Sequence, residues 1–172
     1  QHRFLAAGVH RHIAAYTGRI CRRRIAGEYQ AGIISNIHDA PGDYTPGGEP
    51  TIFPQPAPFG VLICFEAIYP DLARDLVGHG ARFLLNISND AWFGTTAGLE
   101  QHFAIAVFRA VETRRALARA TNTGITAVVE PSGRIGARFP THVREAWVIP
   151  VPLRVGTTLY GRLGDAFGWL VL

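Results

Sequence analysis

The chain has 172 residues, of which 48% are hydrophobic, and its 17 basic and 13 acidic residues give a net charge of +4. This length and hydrophobic fraction predict one globular domain with a buried core. Every basic residue is an arginine and six of them fall in residues 1–30, but no nucleic-acid-binding motif or interleaved aromatic residues accompany them, which argues against nucleic-acid binding.

The N-terminal third shows little periodicity. Residues 1–40 scatter arginine and histidine among small apolar residues, so no secondary structure is predicted there. Residues 39–50 are rich in proline and glycine and predict an ordered loop. The sequence begins with Gln1 and contains no methionine, so we expect it to be a piece of a longer protein.

An apolar run then ends at a cysteine. After a short strand at residues 51–53 and a proline-rich connector, residues 59–63 predict a buried strand that leads directly into Cys64. Pro70 follows at a position typical of the first turn of a helix, and residues 71–77 offer an apolar face. The pattern therefore predicts a strand, a tight turn that presents the thiol, and a helix.

The rest of the chain continues this alternation. Residues 83–87 predict a second buried strand, and residues 99–120 predict the longest helix. Its apolar positions recur at helical spacing: Phe103, Val107, Ala110, Val111, Leu117 and Ala118. Its charged residues fall on other faces: Arg109, Glu112, Arg115 and Arg119.

Three further strands are predicted toward the C-terminus. Residues 125–129 and 134–139 flank a Pro-Ser-Gly turn and predict a hairpin, and residues 145–151 predict one more strand. Strands that alternate with helices through short connections indicate an α/β fold.

Four motifs in this order are recognisable: Ile-Cys-Phe-Glu at 63–66, Ile-Ser-Asn-Asp-Ala-Trp-Phe-Gly at 87–94, Gln-His-Phe at 101–103 and Thr-Asn-Thr-Gly-Ile-Thr-Ala-Val at 121–128. Together they resemble the carbon-nitrogen hydrolase (nitrilase) superfamily and, more narrowly, the extracytoplasmic domain of bacterial apolipoprotein N-acyltransferases. The resemblance implies an incomplete αββα sandwich. It also divides the chain into a poorly matched segment (1–40), the C-terminal part of the hydrolase domain (41–165) and a C-terminal segment (166–172).

The resemblance implies roles for three consecutive residues. Cys64 matches the nucleophile, Phe65 would supply a backbone N–H to the oxyanion hole, and Glu66 matches a supporting carboxylate. From the residues alone, a cysteine behind Val-Leu-Ile is more often a small buried hydrophobe, and Glu66 is as well explained as a surface or ion-paired carboxylate.

Two catalytic groups of the family have no counterpart here. The resemblance places the glutamate base upstream of residue 1, and the oxyanion-stabilising lysine is missing because the chain contains no lysine. One alignment puts Gln1 at the lysine position; the other aligns Glu28 with a later family glutamate that we assign to substrate binding, and puts Ile20 at the lysine. We therefore expect the isolated chain to be inactive or severely impaired.

Other side chains near the motifs also have a functional and a structural interpretation. Trp92 and Phe93 are predicted to line an acyl-chain pocket, with core packing as the equal alternative. His102 is expected to make a structural hydrogen bond, and Asp90 to cap or brace the loop that carries the two aromatic residues. Cys21 and Cys64 suggest neither a disulfide nor a metal site, and no cofactor is expected.

The implied partners are a phospholipid acyl donor, a lipoprotein acceptor and the membrane, with the domain on the periplasmic face of the bacterial inner membrane. Residues 166–172 are far shorter than the ~20 residues of a transmembrane helix, so they are either the start of one or a buried terminal helix. Two alternatives stay open: a soluble amidase or carbamoylase of the same superfamily, and a non-catalytic, degenerate domain.

Overall fold

The computed structural model describes residues 2–5 and 50–171. The predictions that concern Gln1, Ile20, Cys21 and Glu28 lie outside the described residues, as does most of the poorly matched segment. Within residues 1–40, where no secondary structure was predicted, His2–Leu5 is a strand.

Eight strands and four helices follow one another along the described residues. The strands are β1 (His2–Leu5), β2 (Ile52–Phe53), β3 (Phe59–Ile63), β4 (Phe83–Ser88), β5 (Leu117–Thr121), β6 (Ala127–Val129), β7 (Ile135–Arg138) and β8 (Val148–Val151). The helices are α1 (Pro70–Gly78), α2 (Gly98–Thr113), α3 (Leu159–Leu163) and α4 (Ala166–Val171), and two 3₁₀ helices span Cys64–Ile68 and Ala91–Phe93.

Strands β2 to β7 form a six-stranded mixed sheet in chain order. The three central strands β3, β4 and β5 run parallel, whereas β2, β6 and β7 each pair antiparallel with their neighbours. Strand β8 pairs antiparallel with β1 in a separate two-stranded sheet. This mixed sheet with its helices confirms the predicted α/β class.

The predicted strand, turn and helix around Cys64 are confirmed. Strand β3 is an almost uninterrupted apolar run, which suits a parallel strand covered on both faces. Pro70 opens α1, and the helix packs so closely on β3 that a Cβ at Gly60 would lie 2.7 Å from the Leu76 side chain. Glycine at residue 60 thus permits the close approach of helix and strand.

The longest predicted helix is wrong at its C-terminal end. Helix α2 ends at Thr113, and Arg114 adopts a left-handed conformation with a φ of 52°. Residues 117–121, which are good helix formers, instead pair in parallel with β4 as strand β5. Sheet pairing overrides local helix propensity here, because β5 buries Leu117 and Ala118 in the centre of the sheet.

The burial of the arginines also differs from the prediction, and the misassigned strand accounts for Arg119 but not for Arg109, which lies within α2. Arg109, Arg115 and Arg119 were predicted on the polar faces of the helix, but all three are buried, and Val111 of the predicted apolar stripe is partly exposed. The hydrophobic core lies mainly between the central strands and helices α1 and α2, and includes Leu62, Leu76, Leu84, Phe103, Ala106, Ala110 and Leu117.

The C-terminal predictions are largely confirmed. Strands β6 and β7 form the antiparallel hairpin, although β6 begins at Ala127 and not at residue 125. Helix α4 exposes Trp169, Leu170 and Val171, which contradicts the alternative of a buried terminal helix. Among the described helices, none combines the length and apolar character that a bilayer crossing requires.

Candidate active site

Cys64 occupies a strained bend at the carboxyl end of β3. It is the first residue of the 3₁₀ helix that follows the strand, its thiol is free and half-buried, and its backbone φ is 49°. A non-glycine residue in this region costs about 1–3 kcal/mol and persists only where its surroundings hold it. Such strain is concentrated at functional sites, so this bend is the first candidate for chemistry.

Glu66 closes the same bend from within. Its side chain is only 6% exposed, and one carboxylate oxygen accepts a hydrogen bond from the Ile63 backbone N–H at 2.8 Å. The carboxylate therefore ties the end of β3 to the first turn of the 3₁₀ helix. The alternative of Glu66 as a surface carboxylate is wrong.

The loops that follow the other two parallel strands meet at the same edge of the sheet. The Asp90 backbone N–H, after β4, donates to the Asn122 side chain, after β5, at 3.0 Å. Asn122 in turn donates to the Asn89 side chain at 2.6 Å. Because β3, β4 and β5 are parallel and adjacent, Cys64 shares this edge with both loops.

A buried polar cluster lies at the carboxyl ends of these strands, and we call it the Arg119 cluster. Arg119 is 2% exposed and donates to the Asn86 side-chain oxygen and, at 2.9 Å, to Asp90. The Ser88 hydroxyl donates to the other Asp90 oxygen at 2.6 Å. His102 completes the cluster through Nδ1, which lies 3.2 Å from Asp90 Oδ1 and 3.0 Å from Arg119 Nη2.

The electrostatics of the cluster keep Asp90 ionised. Burial alone would raise the pKa of its carboxyl group, but the hydrogen bond with His102, the charge of Arg119 and the Ser88 hydroxyl outweigh burial and lower the pKa to about 2. For Arg119, burial also disfavours the charged form and therefore lowers the pKa, and the charge of Asp90 and its hydrogen bond oppose that shift. Asp90 and Arg119 thus form an ion pair inside the protein.

His102 makes the predicted structural hydrogen bond. Of the two roles predicted for Asp90, capping the loop is wrong, whereas bracing it agrees with the hydrogen bonds of the Asp90 side chain to Ser88, His102 and Arg119. The Asp90 side chain makes no capping hydrogen bond to the 3₁₀ helix at Ala91–Phe93 and points instead into the Arg119 cluster. The His102 ring lies between two aromatic rings, with centroids 5.2 Å from Phe65 and 5.5 Å from Phe93. Nothing among the described residues hydrogen-bonds its Nε2 atom.

The two predicted pocket aromatics differ in their surroundings. Trp92 is 67% exposed, whereas Phe93 is partly buried and packs against the core. Their role in substrate binding stays a prediction. No group of three histidine, cysteine or acidic side chains within the described ranges is arranged to hold a metal ion.

Sequence reasoning missed Asn86 and the role of Arg119. A signal for Asn86 exists, since it is the one polar residue of a Phe-Leu-Leu-Asn-Ile run and must be hydrogen-bonded when buried. No comparable signal exists for Arg119 as long as residues 117–121 are assigned to a helix.

Comparison with known proteins gives consistent results. The family model described as carbon-nitrogen hydrolase matches residues 9–154. The apolipoprotein N-acyltransferase of Geobacter metallireducens is 42% identical over 129 residues, which cover 74% of this chain and 25% of that protein. The apolipoprotein N-acyltransferase of Thermotoga maritima is also 42% identical over 129 residues, covering 74% of this chain and 26% of that protein.

A solved structure supports the fold. The carbon-nitrogen hydrolase from Helicobacter pylori G27 aligns with a TM-score of 0.51 and 20% identity, covering 61% of this chain and 44% of that one. The chain spans about a quarter of the length of the curated relatives named above.

Proposed function

The chain belongs to the carbon-nitrogen hydrolase family, and we propose that Cys64 is the nucleophile of an N-acyltransferase that acts through a thioester. The observation that carries the proposal is the bend at Cys64, where a free, half-buried thiol occupies a backbone conformation that cysteine rarely adopts. A thiol held in this way at the carboxyl end of a parallel strand is suited to meet a substrate.

In the proposed first step, the Cys64 thiolate attacks the acyl carbonyl of a phospholipid. The C–S bond forms, the ester C–O bond breaks, and the lysophospholipid leaves with the proton that the thiol has given up. The N–H of Phe65 belongs to the first turn of the 3₁₀ helix, where N–H groups have no intrahelical acceptor, so it is suited to stabilise the tetrahedral oxyanion.

In the second step, the free α-amine of a diacylglyceryl-cysteine lipoprotein attacks the thioester. The C–N bond forms, the C–S bond breaks, and an amine proton returns to the thiolate, which releases the amide and restores the thiol. Glu66 would support both steps indirectly, because its carboxylate fixes the backbone on the N-terminal side of Cys64.

The proposed partners follow from this chemistry and from the names of the relatives. They are a phospholipid donor, a lipoprotein acceptor and the bacterial inner membrane, with this domain on the periplasmic side. Exposed Trp92 and partly buried Phe93 are the proposed contacts of the acyl chain. Glu28 is a further proposed substrate contact.

The lack of lysine limits what the chain is expected to do alone. Loss of one oxyanion donor typically lowers the rate by ~10²-fold or more, and neither Gln1 nor Ile20 at the lysine position would supply the missing charge. We expect the isolated chain to transfer acyl groups at least ~100-fold more slowly than an N-acyltransferase that has both the glutamate base and the lysine.

The soluble amidase remains the second candidate. It would use the same thioester but let water resolve it. The relatives that share 42% identity are N-acyltransferases by name, which favours an amine acceptor. Product analysis separates the two, because an amidase releases free fatty acid whereas an acyltransferase releases acylated amine.

The test is intact-mass analysis after incubation with vesicles of phosphatidylethanolamine that carries a labelled acyl chain. The protein tested is the longest product of the gene, which contains this chain together with any residues encoded upstream of Gln1. We expect one acyl adduct on the peptide that contains Cys64, removable by hydroxylamine and absent in Cys64→Ala.

Cys21→Ala is the matched control, since it removes the other cysteine of the chain and should leave the adduct in place. A non-catalytic domain would give no adduct in any variant, and that result on the longest product of the gene would refute the proposal.

A further inference from the structure

The proposed chemistry uses the thiol and the turn around it, but does not explain what stabilises the strained backbone of Cys64. The amide of Asn86, in the neighbouring strand β4, donates to the Leu62 carbonyl at 2.9 Å and to the Cys64 carbonyl at 3.4 Å. One buried side chain therefore contacts the backbone both two residues before the strained residue and at that residue.

Asn86 is itself held in one orientation. Its side-chain oxygen accepts from Nη1 of Arg119, so rotating the amide by 180° would bring two donor groups together and leave both carbonyls without a donor. Arg119 can bind in only one way as well, since its Nη2 donates to Asp90 and its planar guanidinium fixes the angle between the two contacts.

We infer that Arg119 and Asn86 are positioning residues for the Cys64 nucleophile, with Asp90 as their anchor. Arg119 orients the Asn86 amide, and the amide fixes the carbonyls of Leu62 and Cys64, which holds residue 64 at positive φ. Neither side chain touches the substrate. The inference rests on the proposed role of Cys64, but its geometric part concerns only how the thiol is presented.

Asn86→Asp is the most informative variant. It keeps the oxygen that accepts from Arg119 and the size of the side chain, but removes both N–H donors that face the carbonyls. Residue 64 is then expected to relax toward an ordinary negative φ and to turn the thiol away from the sheet edge. Misplacement of a reacting group by about 1 Å costs ~10²-fold in rate.

Arg119→Lys tests the second positioning residue. Lysine keeps the positive charge beside Asp90 but cannot bind Asn86 and Asp90 in one plane. The matched control is Arg115→Lys, because Arg115 is also buried but donates to the Ala81 and Gly156 carbonyls, beyond the opposite end of β4.

The first measurement is the rate of Cys64 alkylation by iodoacetamide, followed by mass spectrometry in a Cys21→Ser background. At a pH of about 9.5, where an ordinary thiol is ionised, Asn86→Asp and Arg119→Lys should lower the rate at least ~10-fold. Arg115→Lys should stay within ~2-fold of the parent even where it lowers the melting temperature equally.

The second measurement is acyl transfer by the longest product of the gene. Asn86→Asp and Arg119→Lys should lower kcat ~10² to 10³-fold and leave KM for phospholipid within ~3-fold. A purely structural role would not lower kcat while leaving KM unchanged. If Asn86→Asp does not fold, Asn86→Ser removes the same amide and leaves space for water.

The outcomes are distinguishable. A folded Asn86 variant that is alkylated at the parental rate overturns the inference. If the parent protein forms no acyl adduct but the alkylation rates follow the expected order, the proposed function fails while the positioning of the thiol stands.

Discussion

Two buried arginines four residues apart behave differently at the two ends of the parallel strands. Arg115 precedes β5 and, among the described residues, donates only to backbone carbonyls, including those of Ala81 at 2.8 Å and Gly156 at 2.6 Å. Arg119, within β5, donates to the side chains of Asn86 and Asp90.

The difference shows what each end of the sheet does. Contacts to backbone carbonyls fix the course of the chain, and they do not depend on which side chains the accepting residues carry. Contacts to polar side chains fix the orientation of those particular side chains, which is useful where a reacting group must be presented. The carboxyl end therefore depends on the identity of its residues, while the amino end depends mainly on the path of the backbone.

The largest effect on stability is expected from Asp90→Asn. The variant keeps the shape of the side chain but leaves the Arg119 charge buried without its counter-ion, and breaking such a pair typically costs about 3–5 kcal/mol. Urea unfolding measures this loss.

Asp71→Asn is the matched control, since Asp71 pairs with Arg74 at 2.6 Å but is exposed, and such pairs contribute at most about 1 kcal/mol. Equal losses in the two variants would contradict the distinction between the buried and the exposed pair.

An acid titration should give the next largest effect. The pKa of Asp90 is lowered from 3.8 to about 2, so the stabilisation by its carboxylate is complete above pH 3.8 and is lost as the pH falls through about 2. Its contribution to the free energy of unfolding is about 2 kcal/mol.

Unfolding midpoints between pH 5 and pH 2 should therefore fall less steeply in Asp90→Asn than in the parent. Parallel curves for the two proteins would show that folding does not lower the pKa of Asp90.

A smaller effect is expected where a loop closes over the same carboxylate. A Cβ at Gly124 would lie 2.0 Å from Asp90 Oδ2, so Gly124→Ala must displace the ion pair or the loop, at a cost of about 1–3 kcal/mol. Gly78→Ala, at the end of α1, meets nothing within 4 Å and should not lower the melting temperature. Calorimetry on the two variants tests this, and equal melting temperatures would refute it.

The sequence predicted the part of the site that depends on local pattern. The apolar run of β3, the proline at the start of α1 and the turn between them are short-range signals, and they placed Cys64 correctly at the turn after β3. Apolar periodicity also located β4, because a strand buried on both faces needs a continuous hydrophobic run.

The Arg119 cluster was beyond the same reasoning because it depends on pairing between distant strands. Residues 117–121 consist of Leu, Ala, Arg and Thr, a composition that favours helix as readily as strand. Only the parallel register of β5 against β4, with Asn86 opposite Arg119, brings the amide and the guanidinium together. That register also explains why an arginine is tolerated at the centre of the sheet.

The ring of His102 offers a way to observe the bend at Cys64 without altering it. It lies between Phe65, the neighbour of Cys64 in sequence and 36% exposed, and the ring of Phe93. The ring current of the stacked Phe65 shifts the imidazole proton resonances upfield, and the shift depends on the tilt of Phe65. The NMR resonances of His102 would therefore change in frequency when a group is attached to the sulfur of Cys64.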